Sequence, residues 1–188
     1  MQPYKKLFTY WFSVVIYDHT VEFCNRWIKS YKLKEQMNGA ARSGKQNIVE
    51  GSDDMGTSLK IAIKLSGTSK GSLEELTGDL EDFLRQNNLR KWDKNNPGTQ
   101  KFRQESSKLI KYLAETRNEE ILKTVKLPKD QERATNWLLT LCHQATYLLS
   151  RQIKALEEKH MKEGGFTEKL YSKRIEYREK QRNNYLEA

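Results

Sequence analysis

Between Ser58 and Trp92 the residues Leu59, Ala62, Ser66, Ser69, Leu73, Leu76, Leu80 and Phe83 recur at alternating intervals of three and four. A strand turns successive side chains to opposite faces, so it cannot gather this series on one side. A helix of 3.6 residues per turn does. Its narrow apolar stripe needs partners, so the segment reads as one seam of a helical bundle. Ser66, Gly67, Ser69, Gly71 and Ser72 thin the seam in its middle. Small residues there lower helix propensity and point either to tight packing against a neighbour, the preferred reading, or to a bend.

The rest of the chain reads in the same period. Leu7, Trp11, Val14, Val21, Cys24, Ile28 and Tyr31 predict a first helix over about Tyr4 to Tyr31, with Asp18 interrupting its stripe. A second is expected over about Lys34 to Glu50, with Met37, Ala41, Gly44 and Ile48 on one face and Gly51 as a left-handed stop. Asn95, Asn96, Pro97 and Gly98 break the chain, and Phe102, Ser106, Leu109 and Leu113 mark a shorter helix beyond. Glu119 to Leu127 is irregular or weakly helical. Pro128, Asp130 and Glu132 then open a long helix carrying Ala134, Leu138, Leu141, Ala145, Leu148 and Ala155 to about Met161. Gly164 and Gly165 set off a last helix on which Phe166, Leu170, Arg174 and Tyr177 share a meagre apolar face.

The fold expected is therefore all-α: an up-down antiparallel four-helix bundle over 1–163, with a helical insertion at about 95–128 and an extra C-terminal basic helix over 164–188. The length suits one domain. Only 36% of residues are hydrophobic while 31% are charged, which fits helices with a narrow core stripe and a wide wet face. The run from Leu7 to Tyr17 is too short and too aromatic for a membrane span or a signal sequence, and two cysteines, Cys24 and Cys142, make no disulfide framework. A cytoplasmic, non-membrane protein is the expectation.

A net charge of +9 favours anionic partners, nucleic acid ahead of membrane. Two clusters carry it: Arg26, Lys29, Lys32, Lys34, Arg42 and Lys45 around the first two helices, and Lys169, Lys173, Arg174, Arg178, Lys180 and Arg182 at the end. Tyr171, Tyr177 and Tyr185 lie among the second cluster, where they suit stacking on unpaired bases.

Catalytic readings are weak. Gly39 to Gln46 nearly spells a phosphate-binding loop, but Gln46 stands where the magnesium-binding hydroxyl belongs, and no strand precedes it. Asn47 and Glu50 read as hydrogen-bonding residues that fix the turn between the second and third helices, and Asp53 and Asp54 as solvated turn residues. His19, His143 and His160 lack metal-ligand spacing, and Cys142 and His143, adjacent on a helix, diverge by about 100°. No catalytic residue, metal or cofactor is expected.

The segment Gln36-Met37-Asn38-Gly39-Ala40-Ala41-Arg42-Ser43-Gly44-Lys45-Gln46-Asn47-Ile48-Val49-Glu50-Gly51 resembles the signature of the four-helix-bundle protein family. Ser69, Ser72, Leu73, Glu74, Glu75 and Leu76 resemble the family's third-helix positions. Trp92 to Lys94 and Gly164 to Tyr171 look like its subgroup with a suffix domain. Asn38-Gly39 replaces the family's basic pair, and Gly44-Lys45 its apolar-proline pair. Members are encoded in intervening sequences of ribosomal RNA genes, and a relative is the accessory protein of diversity-generating retroelements. The resemblance implies a homo-oligomer, a pentamer, with a basic surface for RNA or DNA, assisting a reverse transcriptase or another mobile-element protein. The competing expectations are a protein-interaction module that binds no nucleic acid and an enzyme using Glu50 or Lys45.

Overall fold

The computed structural model describes residues 2–186 and, in the last helix, the side chains of residues 168–182. Phe166 and Tyr185, assigned above to an apolar face and to base stacking, have side chains outside the described residues.

Six α-helices follow one another: α1 (Phe8–Trp27), α2 (Tyr31–Asp54), α3 (Leu59–Gln86), α4 (Pro97–Thr116), α5 (Gln131–Glu163) and α6 (Phe166–Leu186). Short 3₁₀ turns stand at Pro3–Lys6 and Glu119–Lys123, and no strand occurs among the described residues. The chain is all-helical, as the periodicity requires. Helices α1, α2, α3 and α5 pack in a closed ring, α1 on α2 and α5, α3 on α2 and α5.

Neighbours in the ring are antiparallel. On α1 and α2, Cys24 lies beside Met37 while Lys45 caps the ring of Tyr17. On α2 and α3, Gly44 meets Ser69 and Gln36 meets Asp79. On α1 and α5, Thr9 bonds Gln152 and His19 bonds Trp137. Helix α4 lies outside the ring against α1 and α5 and runs parallel to α5, since Phe102 packs on Trp137 and Ser106 bonds Gln144. A parallel neighbour needs a return crossing. The segment 117–130 supplies it along α1, fastened by Lys5 to Glu119 at 2.7 Å, His19 to the Val125 carbonyl at 3.5 Å and Arg26 to the Pro128 carbonyl at 3.1 Å.

Several boundaries differ from expectation. The first helix stops at Trp27, because Ser30 takes an extended conformation and its hydroxyl accepts the Leu33 amide, so that α2 begins at Tyr31, three residues early. Helix α2 runs through Gly51 to Asp54. Gly51 is no stop: it is a buried contact, where an added Cβ would sit 3.2 Å from Leu65 Cβ and 3.5 Å from the Ala62 carbonyl. Gly44 has the same function, an added Cβ falling 2.9 Å from Leu73 Cδ2, and Ser69 Oγ donates to its carbonyl at 2.8 Å. These small residues let the backbones of α2 and α3 close up, as expected. Gly67 and Gly71 face open space instead, so only the serine half of the thinned seam packs. Pro97 begins a helix behind the Asn96 cap, rather than merely breaking one, and Asp130 caps α5 through the Arg133 amide.

The core is wider than one stripe per helix. On α1 the buried face includes Phe12, Val15, Ile16, His19 and Phe23, rotated from the expected series, while Val14 and Val21 are only half-buried. The cause is that α1 has neighbours on three sides: α2, α4 and α5. Helix α5 buries every residue from Ala134 to Cys142, where α1, α3 and α4 surround it, and Leu149 and Leu156 replace Leu148 and Ala155 as core residues.

Candidate nucleic-acid interface

The first basic cluster does not form one surface. Arg26 is exposed but engaged by its own chain: it pairs with Glu22, donates to the Pro128 carbonyl and lies over the Trp27 ring. Lys34 is half-buried and donates to Asn25 at 3.3 Å, and Lys45 is half-buried with its ammonium 4.3 Å from the Tyr17 ring centroid. Lys34 and Lys45 both face α1. Lys32 is turned from Lys34 by about 160° at 100° per residue, so the two cannot meet one strand. Lys29, Lys32 and Arg42 are exposed.

Asn47 donates to the Ser43 carbonyl at 2.8 Å and to Ser43 Oγ at 3.1 Å, and Ser72 Oγ reaches the same hydroxyl at 3.2 Å. Its bond is to its own helix, one turn back. Glu50 is exposed and makes no hydrogen bond among the described residues. The turn they were expected to fix lies farther on. Asp54 holds it, its carbonyl accepting the Thr57 and Ser58 amides at 3.0 and 2.8 Å, with the Ser58 hydroxyl capping α3. The Asn47, Glu50 and Gly51 assignment is thus corrected: helix continuation moves the turn out of their reach.

The second cluster is different in kind. Helix α6 carries six basic and three acidic residues over Phe166–Leu186. Lys169 pairs with Glu163 at 3.1 Å, while Lys173, Arg174, Arg178, Lys180 and Arg182 are exposed and make no ion pair among the described residues. At 100° per residue, Tyr171, Arg174, Arg178 and Arg182 fall within a sector of roughly 80°. Glu168, Glu176 and Glu179 lie outside that sector. Arg174, Arg178 and Arg182 follow one another at about 6 Å along the axis. Tyr171 is 66% exposed and Tyr177 64%. Apart from half-buried Ile175, the described side chains of α6 are exposed, and no helix packs closely along it. A face of arginine forks with the exposed Tyr171 ring suits phosphates and unpaired bases alike.

The reactive groups are arranged for structure. Cys142 is fully buried and burial pushes its thiol up to about 12; Cys24 is pushed up to about 11 by the same cause. Neither is a nucleophile at neutral pH. His143 is exposed and turned away from Cys142. His19 is buried. It accepts the Trp137 indole N–H at Nδ1, 2.8 Å, leaving Nε2 to face the Val125 carbonyl, and burial lowers its pKa. The sequence reading missed this pair, because a histidine inside an aromatic stripe signals nothing until its partner 118 residues away is placed beside it. Among the described residues no group of histidine, cysteine or carboxylate side chains is gathered for a metal ion, and no helix is long and apolar enough to cross a membrane.

Fold and surface together define an all-helical bundle with one unpacked, arginine-faced terminal helix. No known protein family, curated protein or solved structure matches the chain.

Proposed function

We propose that the chain is a non-enzymatic helical scaffold that holds RNA or DNA without sequence preference. The observation that carries this reading is the exposed Tyr171, Arg174, Arg178 and Arg182 face of α6. Its arginines release counterions from phosphates and Tyr171 stacks on bases, neither of which reads sequence. The bundle then serves as a rigid mount. Homo-oligomerisation, to a pentamer, and assistance to a reverse transcriptase in the cytoplasm complete the proposal; they rest on the resemblance of Gln36 to Gly51 to the four-helix-bundle protein family.

The test is binding of a mixed-sequence single-stranded RNA at several salt concentrations, read with light scattering. Affinity should fall steeply with salt, and Arg174→Glu with Arg178→Glu should weaken binding to all sequences alike. A salt-independent affinity overturns the electrostatic mechanism. A 22.2 kDa species in place of one near five times that mass removes the pentamer.

A second reading, a protein-interaction module, draws on a shallow apolar groove between α1, α4 and α5. Phe8, 46% exposed, and Tyr147, 61% exposed, stand at its rim over Phe12, Ile110 and Leu148. A pull-down that survives nuclease treatment favours it over the first.

A further inference from the structure

The basic residues of α6 are sorted by kind. At 100° per residue, Arg178 and Arg182 stand about 20° to either side of Tyr171 and Arg174 about 60° from it. Lys169, Lys173 and Lys180 fall within about 20° of the opposite face. Every arginine of Phe166–Leu186 thus shares the side of Tyr171, and every lysine lies behind it. A demand for positive charge alone gives no reason to separate the two. Their chemistry does: the arginine fork grips a phosphate through two N–H groups and stacks on flat rings, whereas lysine offers a point charge.

This arrangement is the reverse of what a duplex asks of a helix. A helix seated in the major groove turns its middle to base edges and reaches the phosphates of the two strands from its flanks. The flanks of the arginine face, roughly 60–120° from Arg178, carry Leu170, Tyr177 and Gln181 on one side and Glu168, Ser172 and Glu179 on the other. Neither flank holds a cation, and a second strand would meet two carboxylates. The arginines stand instead in one row along the middle, about 6 Å apart on a straight axis. That step is close to the distance between neighbouring phosphates of one strand. A strand free of its complement can lie straight along the row, whereas a strand of a duplex winds away from it. Tyr171, 66% exposed, waits one turn before the row, and only an unpaired base offers it a face.

We infer that α6 selects single strands over duplexes: Arg174, Arg178 and Arg182 take three successive phosphates, and Tyr171 stacks on the unpaired base at the near end of the row. The inference rests on the reading of α6 as a nucleic-acid surface and names the form of nucleic acid it takes. Phosphates and base faces are common to RNA and DNA, so a strand of either suits the row.

The experiment titrates the full chain into a short labelled strand of mixed sequence, offered as RNA, as DNA and annealed to its complement, and reads fluorescence anisotropy at several salt concentrations. The single strand should bind about tenfold more tightly than the duplex, and its RNA and DNA forms alike. Tyr171→Ala should weaken the strand about tenfold and leave the duplex unchanged. Arg178→Gln should flatten the slope of log affinity against log salt by about 0.7, the share of one phosphate on a single strand. Arg174→Gln with Arg178→Gln should cost more affinity than Lys173→Gln with Lys180→Gln, although each pair removes two charges. All five side chains are exposed, so the variants fold. A duplex held as tightly as the strand, or equal losses from the arginine and lysine pairs, overturns the inference while leaving α6 a nucleic-acid surface. Failure to bind any of the three forms overturns both.

Discussion

Three glycines of α2 separate helix propensity from packing. Gly39 is exposed in mid-helix, with nothing within 4 Å of an added Cβ, whereas the Cβ of an alanine at 44 would meet Leu73 Cδ2 at 2.9 Å and Cγ at 3.1 Å. Gly39→Ala should stabilise the fold by about 0.8–1 kcal/mol, the ordinary helix gain. Gly44→Ala receives the same gain, but Leu73 is fully buried and has little room to yield. Overpacking of that sort costs about 1–3 kcal/mol, so the variant should end between neutral and roughly 2 kcal/mol less stable. The two variants should therefore differ by about 1–3 kcal/mol. At this chain length each kcal/mol moves the thermal midpoint by about 2–4 °C, so their midpoints should separate by on the order of 5 °C. Gly51→Ala, with its nearest contact at 3.2 Å, should fall between them. Urea unfolding followed by circular dichroism measures all three. If Gly44→Ala stabilises as much as Gly39→Ala, the close approach of α2 and α3 does not hold the bundle together.

Asn136→Ala should release the segment before α4. It removes bonds to the Trp92 amide and Arg90 carbonyl from a side chain only 3% exposed, costing about 1–3 kcal/mol and raising exchange of the Trp92 amide. His19 is held below its ordinary pKa by burial, so the unfolded chain binds the proton first. Its contribution is complete above the unfolded value near 6.5 and is lost as pH falls below it. His19→Gln should flatten that acid decline in urea midpoints between pH 7.5 and 5.5. Cys24 and Cys142, buried and with thiols raised to about 11 and about 12, should resist a thiol reagent at pH 8 until urea unfolds the chain, when both react.

Where the period was clean, the sequence was easy to read. Leu73, Leu76 and Leu80 of α3 face two neighbours in the ring, and such a helix shows one stripe. Helix α1 touches three helices and is apolar around most of its girth, so its true face through Phe12, Ile16 and Phe23 could not be told from its flank. Helix ends failed where a cap competed with a stop. Ser30 ended α1 by starting α2, and Gly51 was read as punctuation although its missing side chain serves a contact made by Leu65. Of the basic residues, α6 was legible because nothing else claims that helix. Arg26, Lys34 and Lys45 were not, because intramolecular partners such as Pro128 and Tyr17 are set by tertiary placement.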